Sequence, residues 1–332
     1  MIGHRMKNGI GLSAFGILLI VLLFVGIPYI QFEIPKSILL LNTMFLSIIL
    51  EAFPFILIGV FASAVIQTFV SEDMVRRFIP KNPLLAIVPA TIVSVLLPVC
   101  ECAIILVVRR LLRKGLPLHV GIIFLVGAPI LNPIVFASTY YAFQSEPSMA
   151  YARMGLAFLL AIIIGLVMYV LFKNTSQLKH STEDLVTATE QQTELTGKRK
   201  WKTVFYHASD EFFDVGKYVI FGTIVASAFQ TYFNRDLLVT VSENDIVAPL
   251  VMMAFGFVLS ICSEADAFIA SSFSHTFSTG SLLAFLLYGP MLDLKNAIIL
   301  FAYFKSKFVV VFMGVITVAV FAIVLVYQSV IL

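Results

Sequence analysis

Two short stretches of this chain gather residue types that bind soft ions and move protons. Cys100-Glu101-Cys102 sets two thiols around one carboxylate, and Cys262-Ser263-Glu264-Ala265-Asp266 sets one thiol beside two carboxylates. Together they hold all three cysteines of the chain. A single cysteine in an apolar segment is ordinarily a small buried hydrophobe. Confinement of all three to two acidic clusters points elsewhere. Thiolates favour soft metals, and carboxylates favour hard ions or protons. Cys-x-Cys is not the wider-spaced pair of a tetrahedral zinc knuckle. The pattern therefore suits a thiophilic ion or metalloid, with Cys100, Cys102 and Cys262 as its ligands and Glu101, Glu264 and Asp266 as titrating neighbours.

Chain-breaking residues surround both clusters. Pro98 removes a donor and disfavours helix at Leu97, so a helix is expected to end just before Cys100. Downstream, Gly127-Ala128-Pro129-Ile130-Leu131-Asn132-Pro133 and Gly289-Pro290-Met291-Leu292-Asp293 each interrupt an apolar run. Broken backbone at membrane depth is tolerated where it is buried or lines a cavity. Asn132 and Asp293 occupy matching positions there and are assigned to the site wall; simple kinking, with Asn132 bonding a freed carbonyl, is the plainer alternative. Glu51 and Asp214 open a pair of matching helices, as helix-start residues or as proton carriers. His119, His207 and His275 lie near span ends, where an imidazole is ordinary.

The elements that must position these groups are membrane helices. The 332 residues are 60% hydrophobic and 12% charged, with a mean hydropathy of +1.01; a soluble domain carries roughly twice that share of charge. Apolar segments run at about 10–30, 38–70, 84–112, 117–143, 151–172, 204–233, 247–276, 281–304 and 307–328. Many approach the ~20 residues that cross a hydrocarbon core. Alternating ten-residue strands of a membrane barrel are absent from the sequence. Net charge is +3, too little to suggest a nucleic-acid partner. His4, Arg5 and Lys7 precede the first segment, and no small-residue cleavage site follows it, so 1–36 is expected to keep a first span. Residues 173–203, rich in Thr, Gln, Glu and Lys, read as a flexible cytoplasmic linker.

That linker separates two similar units, 37–172 and 204–332. Adding 163 to the residue number carries Gly59 to Gly222, Gln67 to Gln230, Thr68 to Thr231, Glu101 to Glu264 and Glu51 to Asp214. After a two-residue deletion Pro129 meets Pro290 and Asn132 meets Asp293. Charge then bears on topology. If every segment crosses, neither orientation places the basic clusters on one side. If 84–112 and 247–276 instead enter and leave on one face, every basic cluster becomes cytoplasmic except isolated Lys36, Arg153 and Arg235. The halves then run in opposite senses, the inverted-repeat plan of many secondary transporters, and the Cys/Glu clusters fall at the hairpin tips. Ordinary full spans are the alternative.

Pro98-Val99-Cys100-Glu101-Cys102 followed by Gly127-Ala128-Pro129-Ile130-Leu131-Asn132-Pro133 resembles bacterial permeases of the YraQ/YcgR type, relatives of the ArsP organoarsenical efflux permeases. The resemblance covers roughly Leu40 to Phe312. Many members look like Cys-Ser-Cys where this chain has Cys-Glu-Cys, which sets it in a different branch and keeps the arsenical substrate out of what is carried over. The resemblance implies multi-pass inner-membrane transport without ATPase motifs, and a small membrane partner protein encoded nearby. No Gly-Lys-Ser/Thr phosphate loop occurs here, and no cofactor is expected. The expectation is thus an all-α membrane permease of two inverted halves that moves a small solute or ion through a midplane site. Its rivals are a thiol oxidoreductase using Cys100/Cys102 and a non-transporting assembly or sensor subunit.

Overall fold

The computed structural model describes residues 36–70, 74, 83–95, 99–172, 177–179, 197–232, 244 and 246–331. The expected first span at 10–30 and the break at Pro98 lie outside them. Helices account for almost all of the described residues: α1 (Lys36–Phe69), α2 (Pro83–Val95), α3 (Glu101–Arg113), α4 (Leu118–Gly127), α5 (Pro133–Ala142), α6 (Ser148–Leu171), α7 (Gly197–Tyr232), α8 (Val247–Leu259), α9 (Asp266–Ser272), α10 (Thr279–Met291), α11 (Leu294–Tyr303) and α12 (Ser306–Ile331). Among the described residues there is no strand.

Five stretches are long and apolar enough to cross a membrane: Ser37–Phe69, Ser148–Leu171, Thr203–Thr231, Thr279–Tyr303 and Ser306–Val330. Their outer faces stay open, with Val170 at 74% and Val330 at 75% exposure, as helices that meet lipid tails rather than water require. The fold is an all-α membrane protein. One of the five differs from the rest: Thr279–Tyr303 is 89% buried and is broken at Leu292-Asp293, between α10 and α11. Its counterpart in helix order is the pair α4 and α5, broken between Gly127 and Pro133. Both interruptions fall at the Gly/Pro motifs, where proline withholds an amide and the helix must restart from a cap.

α2 and α3 have thirteen residues each, roughly 20 Å of helix against ~30 Å of hydrocarbon. Both pack along α4, and neither packs along α5. In the second half α8 and α9 both pack on α10. α3 touches α11 and α9 touches α5, so each helix at a Cys/Glu cluster meets a restarted helix from the far side of 173–203 in sequence.

Small residues let these helices approach. A Cβ on Gly59 would stand 2.2 Å from the Ala103 Cβ, and one on Gly222 would stand 3.2 Å from the Lys295 Cα. One turn on, Ser63 and Ala226 are buried, giving α1 and α7 the small-x-x-x-small stripe that brings membrane helices together. Gly59→Leu is expected to lower thermal stability in detergent by about 1–3 kcal/mol through overpacking against α3, whereas Gly155→Leu, whose Cβ meets nothing within 4 Å, should leave the unfolding temperature unchanged.

Three sequence expectations need correction. Glu51 and Asp214 do not open their helices; they sit roughly four turns inside α1 and α7, because the chain before them already runs as helix, through the apolar stretch from Ile38 to Leu50 in α1 and through a Lys/Arg-rich stretch of good helix formers in α7. α7 begins at Gly197, within the stretch assigned to the linker. Residues 177–179 are also held: Leu178 bridges Phe304, the Lys179 amide donates to the Tyr303 carbonyl at 2.9 Å, and the Lys305 amide donates to the Gln177 carbonyl at 2.9 Å.

Candidate functional site

Glu101 is the first residue of α3, with Cys100 at its N-cap. Asp293 caps α11, its carboxylate accepting from the Asn296 amide at 2.5 Å. Lys295, in the first turn of α11, brings the two together. Its ammonium stands 3.8 Å from Glu101 Oε1 and 3.7 Å from Asp293 Oδ2, and donates to the Ser260 carbonyl at 3.3 Å. Ser260 ends α8 in the left-handed conformation at φ 49°, which turns its carbonyl and hydroxyl towards α11. The Cys102 thiol sits beside Cys100 and Lys295, and Cys262 lies within electrostatic reach of Glu101, Lys295 and Cys102. Thus Cys100, Glu101, Cys102, Cys262 and Asp293 share one buried cluster around a lysine that sequence reasoning missed.

This cluster is loosely made. Hydrogen bonds run at about 2.7–3.2 Å, so both carboxylate contacts to Lys295 are ionic without being hydrogen-bonded. Among the described residues, Glu101 Oε1 and Oε2 and Asp293 Oδ2 have no hydrogen-bond partner. Two carboxylates against one ammonium leave one negative charge uncompensated, which favours a cation or a proton. Among the described residues no three His, Cys, Asp or Glu side chains come together as a metal ion requires, and the ammonium stands where a bound cation would sit. Cys100, Cys102 and Cys262 are free thiols and do not form a preassembled metal cage.

Glu264 and Asp266 belong to a second centre. Arg153 of α6 meets Asp266 Oδ2 at 2.7 Å, donates to the Thr139 hydroxyl at 2.7 Å and reaches the Ser263 carbonyl at 3.4 Å. Arg153 and Asp266 are 1% and 3% exposed, so an arginine expected at an interface is instead wholly internal. Glu264 lies in the field of Arg153. Glu51 is in electrostatic reach of both Cys262 and Glu264. Asn132 does not join the cluster around Lys295: its carboxamide oxygen caps α5, accepting from the Ile134 amide at 2.9 Å.

A third network, also missed, ties α3 to α7. Glu211 stands 3.3 Å from Arg110 and 4.0 Å from Arg109 and accepts from the Ser63 hydroxyl at 2.8 Å. Arg109 lies over the Tyr303 ring at 4.1 Å, and the Tyr303 hydroxyl donates to Asp214 at 3.3 Å. Asp214, which also pairs with Lys217, therefore sits in this network and not in the thiol cluster. Arg109 and Arg110 are buried within the protein, paired with Glu211 rather than free in water.

Residues 37–329 match a family described as predicted permease. The chain belongs to that family. It is 48% identical over 292 residues to the UPF0718 protein YcgR of Bacillus subtilis (strain 168), covering 86% of this chain and 96% of that protein. It is 38% identical over 290 residues to a protein of Streptococcus mutans serotype c (strain ATCC 700610 / UA159) named "Putative two-component membrane permease complex subunit", covering 85% and 93% respectively. No solved structure matches. The sequence-based expectation of a multi-pass membrane permease related to YcgR stands.

Proposed function

We propose that this permease is a secondary transporter of the cell membrane, with its 173–203 linker cytoplasmic, and that it moves a small thiophilic metal or metalloid through the cluster around Lys295. The observation that carries the reading is the crossed packing of the halves: Glu101, at the tip of the first, faces Lys295, on the restarted helix of the second. If α2–α3 and α8–α9 are re-entrant, each half crosses three times, by one long helix, one broken pair and one more long helix. An odd number of crossings inverts the second half relative to the first, as alternating access around a central site requires.

Cys100, Cys102 and Cys262 are the soft ligands in this scheme. A metal cation displaces an S–H proton to a neighbouring carboxylate such as Glu101, whereas a neutral arsenic(III) hydroxide forms each As–S bond as the thiol proton leaves with a hydroxide as water. Glu264 and Glu51 extend the acceptors towards the second centre. Lys295 holds the cluster until the solute's own charge replaces it, which couples occupancy to the ion pairs that join the halves.

In proteoliposomes, flux of at least one of zinc, copper(I), arsenite or a methylated arsenical is expected, and Cys100→Ser/Cys102→Ser should reduce it to the leak of empty vesicles. The double variant must retain the unfolding temperature of the parent. Unchanged flux rejects the thiol role, and no flux of any probe rejects this substrate class. The Streptococcus relative is named a complex subunit, which favours a second membrane protein as partner; a stable partner that co-purifies, and without which flux is absent, would make this chain one half of the transporter.

A further inference from the structure

The network of Arg109, Arg110 and Glu211 takes no part in the scheme above, yet three helices fix where it lies. At 1.5 Å per residue, the two arginines stand roughly 12–14 Å along α3 from Glu101, and Tyr303 stands roughly 12 Å along α11 from Lys295. Glu211 stands roughly 16 Å along α7 from Gly222, where a Cβ would meet the Lys295 Cα at 3.2 Å. The network is therefore well clear of the thiol cluster, and on one side of it. Residues 177–179 sit at the same end: Tyr303, whose ring lies under Arg109 at 4.1 Å, accepts from the Lys179 amide at 2.9 Å, and the Lys179 ammonium donates to the Phe301 carbonyl at 2.6 Å.

α3 precedes 173–203 in sequence, and α7 and α11 follow it, so the network clasps the same elements that meet at Glu101 and Lys295. Arg109, Arg110 and Glu211 are 2%, 7% and 2% exposed; the seam between α3 and α7 is shut at this level. Its contacts are loose. Glu211 Oε1 stands 3.3 Å from Arg110 and 4.0 Å from Arg109 and has no hydrogen-bond partner among the described residues, while the Ser63 hydroxyl donates to Oε2 at 2.8 Å. Arg153 and Asp266, by contrast, meet at 2.7 Å. A buried ion pair recovers its desolvation cost when water reaches it, so a loose pair between two helices opens at small net cost. We propose that Glu211, with Arg109 and Arg110, is a gate that closes the Cys/Glu cluster from the face carrying residues 177–179 and opens by parting α3 from α7. Tyr303 ties that gate to the start of the linker.

The inference rests on the cluster being the transport site, but its test needs no transported solute. All three cysteines lie in the cluster and are 2–5% exposed, so they report its accessibility directly. A membrane-impermeant maleimide is applied to each face of membrane vesicles in turn, and the linker face is the one on which a protease site inserted after Thr189 is cut. The parent is expected to label slowly from both faces. Glu211→Gln and Arg110→Met should each label about tenfold faster from the linker face and at the parent rate from the other. Either variant suffices if the other does not fold, and Ser63→Ala, which removes one hydrogen bond from Glu211, should give a smaller increase on the same face. Labelling at the parent rate in the folded variants overturns the gate. So does an equal increase from both faces, which marks general loosening, or rapid labelling of the parent from the linker face. Faster labelling together with unchanged flux in Cys100→Ser/Cys102→Ser would keep the gate and discard the thiol ligands; unmoved labelling with abolished flux would do the reverse.

Discussion

Lys295→Met is expected to cost the permease about 3–5 kcal/mol of stability, the loss seen when one partner of a buried ion pair is removed, and to abolish its flux. The side chain is 1% exposed and has two carboxylates within 4 Å, Glu101 and Asp293, that are themselves 3% and 1% exposed. Methionine fills most of the volume, so the loss reports charge rather than a cavity. Glu101→Gln removes a carboxylate from a cluster that already has one too many and leaves Lys295 balanced by Asp293. Its expected stability change is small, about 1 kcal/mol either way, while transport is lost. The double variant Lys295→Met/Glu101→Gln should recover part of the stability lost by Lys295→Met alone. Thermal unfolding of the four proteins in one detergent closes the cycle. Additive losses would mean that Glu101 and Lys295 do not interact, and the crossed contact between halves would lose its energetic basis.

What could be read in the sequence, and what could not, follows from how each residue type announces itself. The breaks at Gly127–Pro133 and Gly289–Asp293 were legible because glycine and proline punctuate an apolar helix wherever they occur. The Cys/Glu tips were legible because ionisable and thiol groups are conspicuous in a chain that is 60% hydrophobic. Lys295, Arg153, Arg109 and Arg110 were not, because basic residues between apolar runs are ordinarily topology markers and nothing local separates a buried one from an interfacial one. Lys295 did carry a signal: it stands two residues after Asp293 within the apolar run 281–304, and an ionisable residue at that depth is functional until shown otherwise. Glu211 carried none, since its partners on α3 are about a hundred positions away in sequence. Asn132 and Asp293, aligned with each other in the sequence, both turn out to be N-caps; only Asp293 also faces a cation, because Ile134 stands where the aligned position has Lys295.

The second centre differs from the first in tightness, and on the proposed transport scheme that difference would separate a strut from the site that works. Arg153 and Asp266 are hydrogen-bonded at 2.7 Å, with Thr139 and the Ser263 carbonyl taking further guanidinium donors; the contacts around Lys295 are an ångström longer. A planar fork locked by several partners is costly to rearrange, so this pair is suited to hold α9 against α5 and α6. Asp266→Asn should therefore destabilise by about 3–5 kcal/mol by stranding a buried guanidinium, and Arg153→Leu by a similar amount by stranding the carboxylate. Because an apolar replacement of the whole pair removes both desolvation penalties, Arg153→Leu/Asp266→Leu should return most of the unfolding temperature and retain measurable flux. Glu101→Gln should show the opposite pattern, stable and inactive. A stable, inactive Asp266→Asn would instead place Asp266 among the groups that exchange protons with the solute, and the tight pair would have to open in every transport cycle.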